Sequence, residues 1–536
     1  MTARKVVARR AAAGIAATSI LALTLAGCTG SNENEGATDA DGRPIVKVLV
    51  VQNTNQVPMT EMAWTKQVQD DCGCTIQWES VDDTAWGQQK NPTLASGDLA
   101  DISIRAFSPT DAAQYPGVFE DLAPHLAAMP NVQAFFDQKP DARRLVETPE
   151  GEVFVLPSSR GKAFSGSGQH MMINKAWLDE LGLDVPTTWD ELTKVLEAFK
   201  TKDPNGNGKA DEIPFNIRAL ETGGFGWYSP MLLLNSTGIV TQFNKGPSGS
   251  GIYVHDGTVG NYLVTDEFRS VVTYLHDLMA EGLVPKDAMT KDSSAYYNDQ
   301  LGDGKTARTG LIFGWSLDDF GDLADQYVAM PAPAADDSMS PDDVVWDGSD
   351  NEFENNKLAV SANAQNKDAV WKVVDSLYSE TVSAQQLYGS IPDFVTDDGD
   401  HQYTVKPEAL ADPNKYPTLT DRLAGWIPDE VTFAGAKDSE ALREVDDVYT
   451  DQYDNYDPVL DKMPDYVRLS AEDETTVANN NTAVLNFALQ KTSEWIMKGG
   501  IDEQWDDYVA QLEAAGLDQN VEIWQKAYDQ YTADAK

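Results

Sequence analysis

TWDELTKVLEAFKTKDPNGNGKADEIPFNI, residues 188–217, joins a helix, a loop and a strand with no residue to spare. Thr188 is a candidate N-cap with Glu191 three residues on, the pattern of a capping box. Leu192, Val195, Leu196 and Phe199 recur at helical spacing and give one buried face. The loop begins at Asp203. Counted from there, Asn205 and Asn207 stand third and fifth, Gly208 sixth, Lys209 seventh and Asp211 ninth. This is the oxygen-donor spacing with which an EF-hand-like loop wraps a hard cation, Lys209 offering only its backbone carbonyl. The twelfth position, where a bidentate Glu belongs, holds Pro214, and Glu212 at the tenth is the acid available instead. The following IPFNI reads as a strand, so no second helix is there to swing as in a sensor. The expectation is a structural Ca2+ clip held by Asp203, Asn205, Asn207, the Lys209 carbonyl, Asp211 and Glu212. The bland alternative is a polar Asx and Gly turn that binds nothing.

Outward from this unit, strands and helices alternate. IVKVLVV (45–51) is a β-branched run, and TIQWE (75–79), 102–106 and GEVFVLP (151–157) read as further strands. Residues 170–183 pass from a strand into a short helix. DEFRSVVTYLHDLMAE (266–281) is a helix closed by Gly282, TGLIFG (309–314) a strand ending at Trp315, and KLAVSA (357–362) a strand before a helix at 368–379. Residues 331–356 are rich in Pro and acids, a loop or crossover. The tail reads as helices at 481–498, 502–515 and 520–532. The pattern is that of an α/β fold with parallel sheet content.

The chain's 536 residues suffice for two or more lobes with their own cores. With 40 Lys and Arg against 86 Asp and Glu, net −46, nucleic acid is excluded as a partner, because phosphate binding needs clustered cations. The N-terminus carries Arg4, Lys5, Arg9 and Arg10, then a small-to-apolar run from Ala11 to about Ala26, too short and Ala-rich for a membrane span. It ends in Leu25-Ala26-Gly27-Cys28, which resembles a bacterial lipobox with Cys28 as the lipidated residue. Residues 1–27 read as the signal peptide and 28–44 as a polar tether. Cys72 and Cys74 are left; a local disulfide and two free thiols are both open.

Catalytic signatures are missing. Gly302-Asp303-Gly304-Lys305-Thr306 hints at a phosphate loop but has Asp299 where the pattern needs Gly. There is no HExxH and no GxSxG, and His125, His170, His255, His276 and His401 have no ligand spacing. What stands out is 13 Trp and 19 Tyr. Several stand in Gly-rich loops or at strand ends: Trp227 and Tyr228 in GGFGWY, Trp315 in FGWS, Trp426 in AGW. Aromatic faces at the carboxyl edge of an α/β sheet suit ligand, and flat rings suit the C–H faces of sugars. For any one of them, core packing is the competing assignment.

The lipobox at 25–28, ASGDLADI (95–102), INKAWLDELGLDVPTTWDEL (173–192), AFKTKDPNGNGKADEIP (198–214) and the tail GGIDEQWDDYVAQLEAAGLDQNVEIWQKAYDQY (499–531) together carry a resemblance. The chain resembles the lipoprotein solute-binding proteins of carbohydrate ABC importers, in the subgroup that includes the alginate-oligosaccharide-binding proteins. In that subgroup an acidic residue at the tenth loop position is a ligand. The resemblance implies a two-lobed periplasmic-binding-protein-like α/β fold with a hinge and an interlobe cleft. Its first lobe would be 45–160 plus about 345–405, its second 161–344 plus about 406–536 and carrying the calcium loop. It further implies an oligosaccharide ligand, docking on the permease subunits of an ABC transporter, a lipid anchor on the outer membrane face, and a monomer. Where relatives have a Gly-rich GxxG piece, this chain has Tyr388-Gly389-Ser390-Ile391-Pro392-Asp393-Phe394. Sugar contacts are expected from Trp227, Tyr228, Trp315 and Trp426, with Asn53 and Arg160 as polar partners at strand ends. A non-enzyme is expected. A surface glycoside hydrolase, with two carboxylates flanking the sugar, is the competing class; the same fold holding a peptide is another.

Overall fold

The computed structural model describes residues 36–534, apart from 54, 149, 222–223, 242, 244–245, 349–351 and 411–415. Cys28 and the signal segment lie outside the described residues. The strands are β1 Ile45–Gln52, β2 Thr75–Asp82, β3 Ile102–Ile104 and β4 Val155–Ser159; then β5 His170–Asn174, β6 Ile213–Asn216, the hairpin β7 Ile252–His255 and β8 Thr258–Asn261, β9 Thr309–Gly314 and β10 Tyr327–Met330; then β11 Phe353–Val360, β12 Val395–Gly399, β13 Gln402–Val405 and β14 Thr432–Ala434.

Two separate sheets give two lobes. The first is ordered β2-β1-β3-β11-β4 and the second β10-β5-β9-β6. In the first, β1 pairs in parallel with both β2 and β3, and β11 runs antiparallel between β3 and β4. Val46, Val48 and Val50 of β1 are fully buried, as a β-branched run in a covered parallel sheet should be. In the second, β5 is antiparallel to β10 and β9, while β6 and β9 are parallel. The chain leaves the first sheet after β4, builds the second, and returns as β11.

The helix of the opening stretch is Trp189–Thr201, with Trp189, Leu192, Val195, Leu196 and Phe199 buried. Thr188 Oγ1 accepts from the Glu191 amide, as a cap should, but Glu191 answers to Thr187, whose amide and hydroxyl donate to its carboxylate at 2.9 and 2.8 Å. Around Thr188 the chain bridges to Ala334, whose amide donates to the Thr187 carbonyl and whose carbonyl accepts from the Trp189 amide. In β9, Gly310 admits the helix: a Cβ there would lie 2.4 Å from Phe199 Cδ2 and 2.7 Å from the Pro214 carbonyl oxygen. Gly310→Ala is expected to cost about 1–3 kcal/mol by overpacking. A urea midpoint that stays where it was, at unchanged slope, rules this out.

The lobe boundaries differ from expectation. The returning segment was expected to leave the first lobe near residue 405, but it stays to about 434. There β14 pairs in parallel with β13, the Val57 amide donates to the Tyr416 carbonyl at 3.0 Å, and Trp426 bridges to Ser159. These partners lie far apart in sequence, so no local pattern marks them. The tail helix begins at Ala471 rather than 481 and runs to Lys498, capped by Ser470. Cys72 and Cys74 form a disulfide with both residues buried. Among the described residues no helix is long and apolar enough to cross a membrane.

Candidate functional site

The lobes are joined by strands of chain that run side by side. The Ser159 amide donates to the Gly425 carbonyl (3.2 Å), the Ile427 amide to the Ser159 carbonyl (3.0 Å) and the Arg160 amide to the Glu352 carbonyl (3.0 Å). A charge cluster sits on this junction. Lys139 Nζ lies 2.9 Å from Glu352 and also pairs with Asp429, which pairs with Lys162 at 3.0 Å. Ser159 Oγ donates to Glu352 at 2.5 Å. Burial lowers the tendency of Lys139 to stay charged, but hydrogen bonds to Asp429 and Glu352 outweigh it and hold the ammonium above its usual range.

Beside the junction, aromatic rings converge. Trp315 follows the carboxyl end of β9, and Trp227 follows the loop after β6. Their rings lie near-parallel, 6.4 Å apart at 23°. Both are partly buried and pack against the core. The Arg160 guanidinium, arriving from the end of β4, lies 5.8 Å from the Trp315 ring and 4.5 Å from Phe164. The pair is held from behind. The Trp315 amide donates to Asp319 Oδ2 at 2.8 Å, and the Trp227 carbonyl accepts from Arg218 at 3.2 Å. His170 Nδ1 lies 2.8 Å from the Trp315 carbonyl, which only accepts, so that nitrogen carries the proton; its Nε2 is 3.3 Å from Asp446. The Trp315 backbone is thereby tied through His170 to Asp446.

The other expected contacts fall differently. Tyr228 is 7% exposed with φ 60°, packs edge-on to Trp227 at 5.6 Å, and burial pushes its phenol well up. It backs the platform and offers no open face. Trp426 is 6% exposed and stacks on Phe135 at 5.2 Å, inside the first lobe. Its position next to Gly425 resembled a cleft loop, but Gly425 is there because a Cβ would meet Ser383 Oγ at 2.5 Å and the Leu377 carbonyl at 2.9 Å. Asn53 is exposed at the end of β1, and its Oδ1 accepts from Arg422 at 2.8 Å.

Sequence reasoning missed several polar groups. Arg422 reaches Asp83 through both Nη atoms at 2.8 and 2.7 Å. Glu354, at the start of β11, receives Lys357 at 2.6 Å and Arg105 at 3.3 Å. Burial pushes the Glu354 carboxyl up, but Lys357, Arg105 and Arg160 together overcome it and hold the group at about 2. A carboxyl depressed in the fold gives stability present above the unfolded value near 4.5 and lost as pH falls toward 2. The destabilisation caused by Glu354→Gln should therefore be full at pH 6 and fade below pH 4 in thermal melts; a gap constant down to pH 2 contradicts it. Asp319 and Asp438 are both raised by burial; Asp438 accepts from Tyr388 at 3.3 Å and lies in the field of Arg160. Of these, only Asp319 had a signal, following a strand-end Trp.

The calcium-loop residues are brought together at the far end of the second sheet. Asp203 (φ 48°), Gly206 (φ 66°) and Gly208 (φ 75°) turn the backbone through the left-handed region, which favours Gly. The Asn207 amide donates to Asp203 Oδ1 and Asn205 Oδ1, Gly208 N to Asp203 Oδ2, and Lys209 N to Asn207 Oδ1, at 2.8–3.1 Å. Asn207 Nδ2 donates to Asp211 at 2.9 Å. Glu212 Oε1 is buried with no hydrogen-bond partner, and burial, with repulsion from Asp203 and Asp211, pushes its carboxyl up. Among the described residues no three His, Cys, Asp or Glu side chains gather at metal-binding spacing. The loop's donors are mixed: three acids, two amides and a carbonyl. The orphaned buried Glu212 Oε1, beside the Asp203 and Asp211 carboxylates, fits a hard cation.

A model of the family described as bacterial extracellular solute-binding protein matches residues 57–384. The fructooligosaccharide ABC transporter substrate-binding protein FusA of Streptococcus pneumoniae is 28% identical over 498 residues, 88% of this chain and 87% of that protein. A solved structure from Bifidobacterium longum infantis, described as an HMO-binding, ABC-transporter-associated solute-binding protein, is 54% identical. It has a TM-score of 0.90 and covers 92% of this chain and 100% of that one. Alginate-binding protein AlgQ2, solved without calcium ion, shares the fold at 20% identity and TM-score 0.65, over 92% of this chain and 100% of that one.

Proposed function

This chain belongs to the bacterial extracellular solute-binding protein family, and from that premise we propose that it captures an oligosaccharide between its two lobes and delivers it to the permease of an ABC importer. The observation that carries the reading is the partly buried Trp227–Trp315 pair at the carboxyl edge of the second sheet, with Arg160 of the first lobe reaching over Trp315. Flat rings cover the C–H faces of sugars, while Arg160 and the bordering carboxylates address hydroxyls. A ligand touching both lobes favours the closed arrangement by its differential affinity. The relatives described above are named as binding proteins, which favours capture over hydrolysis. A thermal-shift panel of glycans and peptides tests the reading, because only a true ligand raises the melting temperature. A response to peptides alone, or release of hydrolysis products from glycans, overturns it.

Two further parts belong to this reading. Cys28 carries the lipid that holds the protein, as a monomer, on the outer face of the cell membrane; mass spectrometry of the membrane fraction reads it. The loop of Asp203, Asn205, Asn207, Lys209, Asp211 and Glu212 holds a structural Ca2+, supported by the orphaned Glu212 Oε1 and the mixed oxygen set. The ion would satisfy that oxygen and the neighbouring carboxylates, bracing the helix-to-strand turn.

A further inference from the structure

We propose that the cleft selects neutral oligosaccharides and rejects anionic ones of equal length. The inference rests on the oligosaccharide reading and names the chemical class that reading leaves open.

The cations that border the cleft are already matched by the protein's own carboxylates. Arg422 is engaged by both oxygens of Asp83 and by Asn53. Arg105 and Lys357 converge on Glu354. At the junction Lys139 and Lys162 are taken by Glu352 and Asp429, and on the second lobe Arg443 by Asp446 at 2.6 Å. Arg218, behind Trp227, pairs with Glu221 at 2.8 Å. Arg160 lies over two aromatic rings and in the fields of Glu354 and Asp438. A sulfate, sialate or uronate entering here must draw a cation from a carboxylate that then stays behind, half-buried and unpaired. Leaving a carboxylate uncompensated is costly for the buried Glu352 and Asp446, and less so for the more exposed Asp83, Glu221 and Asp429.

The acceptors point the same way. Asp319 beneath Trp315 receives a backbone amide but makes no ion pair with Lys or Arg among the described residues, and Asp438 receives only the Tyr388 hydroxyl beside amides of its own turn. Two acid groups with spare lone pairs next to aromatic faces are matched by hydroxyl donors and C–H faces. They repel a carboxylate or sulfate. A separate groove of about 1030 Å³, between residues 109–154 and 467–524, is also lined mainly by acids, Asp121, Glu147, Glu150, Glu152 and Glu474, beside Arg468, which donates to the Leu145 carbonyl. At net −46 the whole protein adds a long-range field that repels anions.

The experiment is calorimetric titration of the purified protein with kestose and with neutral lactose-type tetrasaccharides, beside sialylated and oligouronate probes of matched length. Neutral probes are expected to bind at least about tenfold more tightly than their anionic counterparts. Asp319→Asn is expected to narrow that ratio by raising affinity for anionic probes, with Asp438→Asn as the second variant should the first fail to fold. Raising salt should leave the neutral affinity unchanged and relieve part of the anionic penalty. An anionic probe that binds as tightly as its neutral counterpart overturns the selectivity and leaves the oligosaccharide reading standing. If no probe of either kind binds, that reading fails and the selectivity with it. A ratio that neither Asp variant nor salt moves removes the electrostatic cause.

Discussion

Replacing Trp315 by Ala is expected to weaken glycan binding at least about tenfold, roughly 1.4 kcal/mol, with little change in melting temperature. Trp315 is only partly buried, near-parallel to Trp227 and beside Arg160, so truncation removes a contact surface more than a core element. Its backbone stays fixed, because Asp319 and His170 grip the amide and carbonyl rather than the ring. Trp426→Ala makes the contrast. That ring stacks on Phe135 within the first lobe, so its loss lowers the melting temperature first. Calorimetry and a thermal melt on the two variants separate the roles. Unchanged affinity in Trp315→Ala removes that residue from the site.

Stripping calcium with a chelator is expected to lower the melting temperature of the second lobe by roughly 5–15 °C while glycan affinity holds. An ion present at 100 to 1,000 times its dissociation constant contributes about 3–4 kcal/mol, and a unit of this size loses a few degrees per kcal/mol. Affinity should hold because of the strand directions. The loop feeds the amino end of β6 at Ile213, whereas Trp315 follows the carboxyl end of its parallel neighbour β9. The two sites thus stand at opposite ends of one sheet. Asp203→Ala should reproduce the loss without chelator, since Asp203 also receives the Asn207 and Gly208 amides. If metal analysis finds no calcium and chelator leaves the melt unmoved, the clip is wrong.

The parts that were legible were those written in neighbouring residues. β1 is a run of alternating valines, the helix Trp189–Thr201 shows its buried face at i, i+3 and i+4, and the Asp203 loop spells out its donors in order. Trp227 and Trp315 were legible as candidates because each follows a strand or a Gly-rich turn. Trp426 had the same local context and a different fate, decided by Phe135 nearly 300 residues earlier in the chain. Asp83, Arg160, Glu354, Arg422 and Asp438 carry the cleft's electrostatics, yet each is an ordinary charged residue in its own segment. Arg160 had a signal, its place at a strand end; for the others, in a chain with 86 acids and 40 basic residues, nothing local singles them out.

The sequence by itself determined the α/β class, the helix–loop–strand unit, the acidic balance and the aromatic candidates, because periodicity and spacing act over a few residues. Only the tertiary structure decided which Trp packs inside the first lobe, that the first lobe keeps its returning segment to β14, and which carboxylates pair with Arg105, Arg218, Arg422, Arg443, Lys139 and Lys357. Those outcomes depend on non-local β pairing and on charges brought together from hundreds of residues apart, where desolvation and Coulomb attraction act on distance in space and not along the chain.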